Sequence, residues 1–332
     1  MDAVAPSPSP VSVPEEGVCH ICFLDFHGRE VTPVIVTPQL CGHRYDLHCI
    51  TGWFEGLSLD NRVCCLCRKK ALPLKVVSGV PDEESPFIQH EALEAVYQGN
   101  TEKLASMLTI APELALRFFH DPVIDKDITL LHAAAWKGKA DCLQVLINAG
   151  ANIDISRHSD GITPAFVAAA NGKTDCLKAL IEAGANVDIP RFTDGATPTL
   201  IAVQNLYLDS LQVLIEAGAN VDIPRHSDGA TPVLIAVEKG FFDYLNPLIE
   251  AGADLNAARH TDGATPIFIA AHEGNICSLG ALIKGGANLN AARHTDGATP
   301  AVIAAREGYI CCLKELIEAG AEYEEERCCI IL

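Results

Sequence analysis

Threonine recurs at positions 129, 163, 197, 231, 265 and 299, a step of 34 residues without exception. A fixed period of this size constrains the fold more than any local propensity does. A single such unit cannot bury an apolar face alone, and it becomes stable by stacking on its neighbours. The local signals inside each unit agree. Thr163 and Pro164 open a short Ala-rich helix predicted through Asn171, Gly172 stops it, and a second apolar-periodic helix is predicted from Asp175 to Ala183, ahead of Gly184. Proline in the first turn and glycine just past the end are ordinary helix punctuation.

The units resemble ankyrin repeats, and the stretch Thr129-Leu-Leu-His132-Ala-Ala-Ala, with Gly138 and Ala149-Gly150-Ala151-Asn152, carries that pattern most fully. A divergent cap is expected around Ala92 to Leu108, split by Gly99, so the array is placed at residues 86–323 as about seven units including caps. The period exceeds the 33 residues usual for ankyrin repeats, and the added residue falls in the finger between helix pairs, as in Val187 to Gly195. His132 is replaced in later units by Phe166, Leu200, Leu234, Phe268 and Val302, exchanging a polar tie for packing. Leu206 stands where other units have glycine, and Pro247 falls inside a second helix, so local irregularity is expected in those two units.

The finger tips are nearly copied: Arg157-His158-Ser159-Asp160-Gly161, Arg191-Phe192-Thr193-Asp194-Gly195, and the same motif opening at Arg225, Arg259 and Arg293. Two readings are open. The Arg and His ladder forms a peptide or anion groove, or Asp and Ser/Thr close each turn locally while Arg pairs with the neighbouring acidic tip. Near-identical tips distinguish no partner. Partner choice is therefore assigned to varied positions on the concave face: Asn171, Gln204, Glu238, His272 and Arg306.

Ahead of the array, residues 18–72 hold the densest set of metal-ligand side chains: Cys19, Cys22, Cys41, His43, Asp46, Cys49, Cys64 and Cys67. Cysteine pairs at this spacing are the ligand types of closed tetrahedral zinc sites. A segment this small needs metal to fold, which supplies on the order of 10 kcal/mol or more per structural zinc. The order of ligands resembles a RING finger, the zinc domain of a large class of E3 ubiquitin ligases. The resemblance implies two zinc ions in an interleaved pattern, one held by Cys19, Cys22, Asp46 and Cys49 and the other by Cys41, His43, Cys64 and Cys67. Asp46 stands where the family has Cys or His, and His48 is the alternative ligand. The same resemblance places Ile21, Trp53 and Leu66 in the apolar groove that grips a ubiquitin-conjugating enzyme (E2), with Arg68 contacting the ubiquitin it carries. Cys65 stands where the family commonly has proline.

Charge and composition narrow the partners. The formal net charge is −19, of which residues 1–80 contribute −1, so the array is strongly acidic. Nucleic acid is excluded as a partner because phosphate binding needs a basic face. Residues 1–17 are Pro- and Ser-rich and read as a disordered leader, 73–85 as a linker, and 324–332 as an acidic tail. Cys142, Cys176, Cys277, Cys311 and Cys312 fall mostly where a second helix calls for a small apolar residue and read as reduced core cysteines. The final residues, Cys329-Ile330-Ile331-Leu332, resemble a C-a-a-X box and imply geranylgeranylation of Cys329 by a geranylgeranyltransferase. A stable anchor needs a second signal, assigned to palmitoylation of Cys328.

The expected fold is mostly α: a small zinc-bound α+β RING domain followed by an ankyrin-repeat α-solenoid. Together the features imply a ligase held at the cytoplasmic face of a membrane by its lipid, with the array recruiting a protein substrate. The combination resembles effectors that intracellular bacteria deliver into host cells, which would place it on host membranes. A non-enzymatic adaptor that docks through its zinc domain is the alternative, supported by Asp46 and Cys65.

Overall fold

In each repeat the first helix is seven or eight residues long and almost wholly buried, and the second is nine residues long and buried along one stripe. This follows from the alternation of a Pro- and Ala-rich segment with an amphipathic one. The computed structural model describes residues 86–121 and 126–323, together with the strand backbones β1 (Ile35–Pro38), β2 (Tyr45–Asp46) and β3 (Leu74–Ser78). These three strands form one antiparallel sheet in the order β2-β1-β3, with Ile35 opposite Asp46 and Pro38 opposite Leu74. The third strand lies within the stretch read from sequence as linker.

The chain divides into two units. The first holds the sheet and the helices α1 (Pro86–Gln98) and α2 (Thr101–Ile110), where the half-exposed Lys103 reaches the buried Glu91 at 3.3 Å. The second, from Ala115 onward, begins with a hairpin, β4 (Phe118–Asp121) against β5 (Lys126–Thr129). Six helix pairs follow: α3 (Leu130–Lys137) with α4 (Ala140–Asn148), α5 (Pro164–Ala170) with α6 (Thr174–Glu182), and α7 (Pro198–Gln204) with α8 (Leu208–Glu216). Then come α9 (Pro232–Glu238) with α10 (Phe242–Glu250), α11 (Pro266–His272) with α12 (Ile276–Lys284), and α13 (Pro300–Arg306) with α14 (Ile310–Glu318).

The repeated threonine is the N-cap of every first helix. Except at Thr265, its hydroxyl accepts the N–H three residues on, as in Phe166 to Thr163 at 3.2 Å and Leu200 to Thr197 at 3.3 Å, and from Thr163 onward Pro at the next position has no N–H to satisfy. First helices stack on first helices and second on second, so the core is one continuous row with a layer from each repeat, such as Phe166, Cys176, Leu177 and Leu180. Cys142, Cys176 and Cys312 are free and buried in that row, and burial pushes the Cys176 thiol up to about 11, so it stays a protonated apolar side chain. Cys277 and Cys311 are exposed, one residue before the buried register, where earlier repeats carry aspartate.

The two expected irregularities are absorbed. Leu206 is the one non-glycine residue with positive φ among the described residues, at 66°, and it keeps the turn that Gly172 makes at 61°. The Tyr207 N–H still reaches Ala202 O at 2.9 Å, as Lys173 reaches Ala168. Pro247 lies inside α10, yet the helix keeps its full nine residues. The first turn tightens instead, with Tyr244 N–H donating to Phe241 O at 3.1 Å, an i to i−3 bond.

Candidate functional site

The fingers are joined side to side by two repeating hydrogen-bond ladders. At the finger base a side-chain carbonyl or carboxylate accepts a backbone N–H from the next repeat: Asp154 from Asn186 at 2.9 Å, Asp188 from Asn220 at 2.9 Å, Asp222 from Asp254 at 2.8 Å and Asn256 from Asn288 at 2.7 Å. At the tip, the N–H of Phe192, His226, His260 and His294 donates to the Asp carbonyl of the preceding tip, at 2.6–3.0 Å. The His226 ring lies against Gly195, where a Cβ would come within 2.5 Å of it, and Gly195 has φ 76°, so tight stacking and backbone shape both require glycine there.

Each tip arginine pairs with the aspartate of its own tip, three residues on, so of the two readings of the tips the local turn closure is found, with the arginine on its own aspartate and not on the neighbouring tip. Arg191 holds Asp194 through Nε at 2.7 Å and Nη2 at 2.6 Å, and the same fork recurs at Arg225–Asp228, Arg259–Asp262 and Arg293–Asp296. The same carboxylate accepts the N–H two residues on, as from Ala196 at 3.1 Å, which closes the turn. The guanidinium bonds hold the carboxyls of Asp194, Asp228, Asp262 and Asp296 below the usual range. Burial acts to raise the Asp160 carboxyl, but Arg157 and Lys126 outweigh it and lower it. With every tip guanidinium engaged by a carboxylate, the ladder is a scaffold and not an anion groove.

The surface that varies lies between the fingers and the ends of the first helices. Stepping by 34 places Gln204, Glu238, His272 and Arg306 at one register, the last residue of each first helix, and all four are exposed. Glu238 meets Arg259 at 3.6 Å, His272 meets Glu273 at 2.9 Å and Arg306 meets Asp296 at 3.3 Å. Asn171 lies one residue out of this register. It is the C-cap of α5, its amide donates to Val167 O at 2.8 Å, and its counterpart Asn205 donates to Ala170 O at 2.8 Å. The residues truly in register are Ala170 and, one repeat earlier, Trp136, which the sequence reading missed. Counting back from Gln204 by the fixed period would have found both.

Grooves open along this surface at equivalent places. One of about 270 Å³ is walled by Trp136, Phe166, Val167 and Ala170, and one of about 100 Å³ by their equivalents three repeats on, Glu238, Phe268, Ile269 and His272. Beneath the first groove His132 is buried. Its Nδ1 accepts from Thr129, so Nε2 carries the proton and donates to Ile162 O at 2.8 Å, tying α3 to the next finger. Burial drops the His132 pKa to about 4, which keeps the ring neutral.

Cys19, Cys22, Cys41, His43, Cys49, Cys64 and Cys67, together with Ile21, Trp53, Leu66, Arg68, Cys328 and Cys329, lie outside the described residues. Asp46 falls within them only as backbone in β2. Among the described residues no group of three or more His, Cys, Asp or Glu is placed to hold a metal ion, and no helix is long and apolar enough to cross a membrane.

Stacked helix pairs with copied fingers and a varied inner face define a repeat-scaffold protein that binds other proteins. The chain belongs to the ankyrin-repeat family: the family described as Ankyrin repeats (3 copies) matches residues 93–191, 130–225 and 233–327, more than half of its length. It is similar in fold to the ankyrin repeat domain of Bcl-3, a member of the IkappaB protein family, with a TM-score of 0.61 at 22% identity over 68% of this chain and 97% of that one. An ankyrin repeat domain from Acinetobacter baumannii AYE aligns with a TM-score of 0.54 at 30% identity over 58% of this chain and 98% of that one. No curated protein matches the chain in sequence.

Proposed function

We propose that this protein is a membrane-tethered E3 ubiquitin ligase of RING type whose ankyrin array holds the substrate. The observation that carries the reading is the order of donors ahead of the array: six thiols, one imidazole and one carboxylate in four close pairs. That set fits two structural zinc ions, with Cys19, Cys22, Asp46 and Cys49 on one and Cys41, His43, Cys64 and Cys67 on the other. When bound, zinc supplies folding energy to this segment and takes no part in bond making.

Ile21, Trp53 and Leu66 bind the ubiquitin-conjugating enzyme, and Arg68 orients its ubiquitin. A lysine of a protein held on the array then attacks the thioester, so the gain comes from proximity and orientation. A thioether lipid on Cys329, with an acyl group on Cys328, holds the assembly at a membrane. The test is autoubiquitination with a panel of conjugating enzymes, with zinc quantified on the same preparation. Two zinc ions and polyubiquitin that is lost in Trp53→Ala and Arg68→Ala support the ligase, and Cys329→Ser should release the protein from membranes.

The second reading, a non-enzymatic adaptor, is favoured by Asp46 and Cys65, which depart from the ligase pattern. Two zinc ions with no ubiquitin chains on any conjugating enzyme would select it.

A further inference from the structure

The grooves on the inner face are built alike but not lined alike. At the first, Trp136 from α3 faces Phe166, Val167 and Ala170 from α5, and the rim residues Lys126 and Arg157 share the single carboxylate of Asp160, which leaves one net positive charge. Lys126 is about half exposed, and the Lys137 ammonium lies 4.0 Å from the Trp136 ring centroid. Three repeats on, the lining sets Glu238, Asp262 and Glu273 against Arg259 and Arg293, which leaves one net negative charge. The inner face of an acidic array therefore carries an apolar pocket with a net positive rim at its first repeat junction and a groove with a net negative lining beyond it. The cause of the larger opening is also local: Ala170 stands where later repeats place Gln204, Glu238, His272 and Arg306, so no long side chain fills the space beside Trp136.

We infer that this pocket is an anchor site for one bulky apolar side chain of a partner protein, carried in an extended segment next to an aspartate or glutamate. The inference rests on the proposal that the array binds a protein, not on the ligase reading. At about 270 Å³ the pocket lies below the ~300–1,000 Å³ of small-molecule sites and suits a single large side chain. Its walls include the aromatic rings of Trp136 and Phe166, and tryptophan is among the residues enriched at binding hot spots. The charge argument selects the neighbours: the half-exposed Lys126, in excess over the one carboxylate that it shares with Arg157, favours a carboxylate beside the anchor, and the net negative lining farther on disfavours it there.

The experiment selects phage-displayed random peptides on the full-length protein and measures the consensus peptide, made with a fluorescent label, by anisotropy. Selected sequences are expected to place Phe, Trp, Leu or Met beside Asp or Glu. Ala170→Trp fills the pocket and is expected to weaken the consensus peptide by about thirtyfold, the size of a hot-spot loss. Position 136 already carries tryptophan at the same register, so the substitution suits the fold, and circular dichroism checks it. Trp136→Ala, which removes a wall at a register that also accepts alanine, should weaken binding too. Peptides that bind both variants as well as the parent would overturn the pocket while leaving the array a protein-binding surface. Enrichment of no sequence would overturn both.

Discussion

The arginine–aspartate fork repeats in every finger, yet its surroundings differ, and that difference sets a measurable contrast. Arg157 and Asp160 each retain 9% side-chain exposure, whereas Arg293 and Asp296 retain 22% and 30%. Removing one partner of a buried pair leaves an uncompensated charge and costs about 3–5 kcal/mol, while an exposed pair is worth about 0–1 kcal/mol. For Arg157→Ala the lower end applies, because Asp160 keeps Lys126 at 3.2 Å and the Ile162 N–H at 3.3 Å. The expected losses are therefore about 3 kcal/mol for Arg157→Ala and under ~1 kcal/mol for Arg293→Ala. In urea unfolding of the full-length protein followed by far-ultraviolet circular dichroism, with a slope near ~2 kcal/mol/M, the midpoints should fall by roughly 1.5 M and less than ~0.5 M. Adding Asp160→Asn to Arg157→Ala should restore part of the loss, since it removes the stranded charge. Equal midpoint shifts for the two arginine variants, with unchanged slopes, would refute the reasoning that burial and not the motif sets the energy.

Two further outcomes follow from buried polar groups. His132 has a folded pKa of about 4 against an unfolded value near 6.5, so the unfolded chain binds the proton first as pH falls. Its contribution is fully present above pH ~6.5 and is lost progressively down to about pH 4, amounting to ~3 kcal/mol at most. His132→Phe, copying the residue at 166, should flatten stability over that window in urea titrations at stepped pH. The buried hydroxyls of Ser210 and Ser278 have no hydrogen-bond partner and stand at the register of Cys142, Cys176 and Cys312. Ser278→Cys should raise stability by about 1 kcal/mol by replacing an unsatisfied hydroxyl with a weakly polar thiol. A thermal melt that moves down would count against it.

The helix pairs, their caps and their register were legible in the sequence because the threonine step, the following proline and the closing glycine each fix a backbone conformation locally. What escaped was relational. Asn171 varies between units but stands outside the partner-facing row, because that row is defined by the period across units, which points to Ala170 and Trp136. The turn-closing reading of the tips puts each arginine on the neighbouring tip, although the i, i+3 spacing of Arg157 and Asp160 already allows the fork within one turn. The unequal burial of sequence-identical forks has no local signature, since it depends on what neighbouring elements bring, such as Lys126 from β5. Leu206 and Pro247 were read as interruptions, but stacking on both sides holds a glycine-like turn and a full helix in place.

The finger ladders also bear on how this protein can change over time. The finger junctions from Asp154 to Asn288 are made by equivalent donors and acceptors one period apart, so a chain that loses or gains a stretch of 34 residues there by recombination between copies meets a matching partner on each side of the seam. Length is then a free variable of the gene, while the identity of each inner-face residue is not. A single such event would move the apolar anchor pocket nearer to or farther from the acidic groove by one fixed increment, changing the span of partner it measures without altering either site.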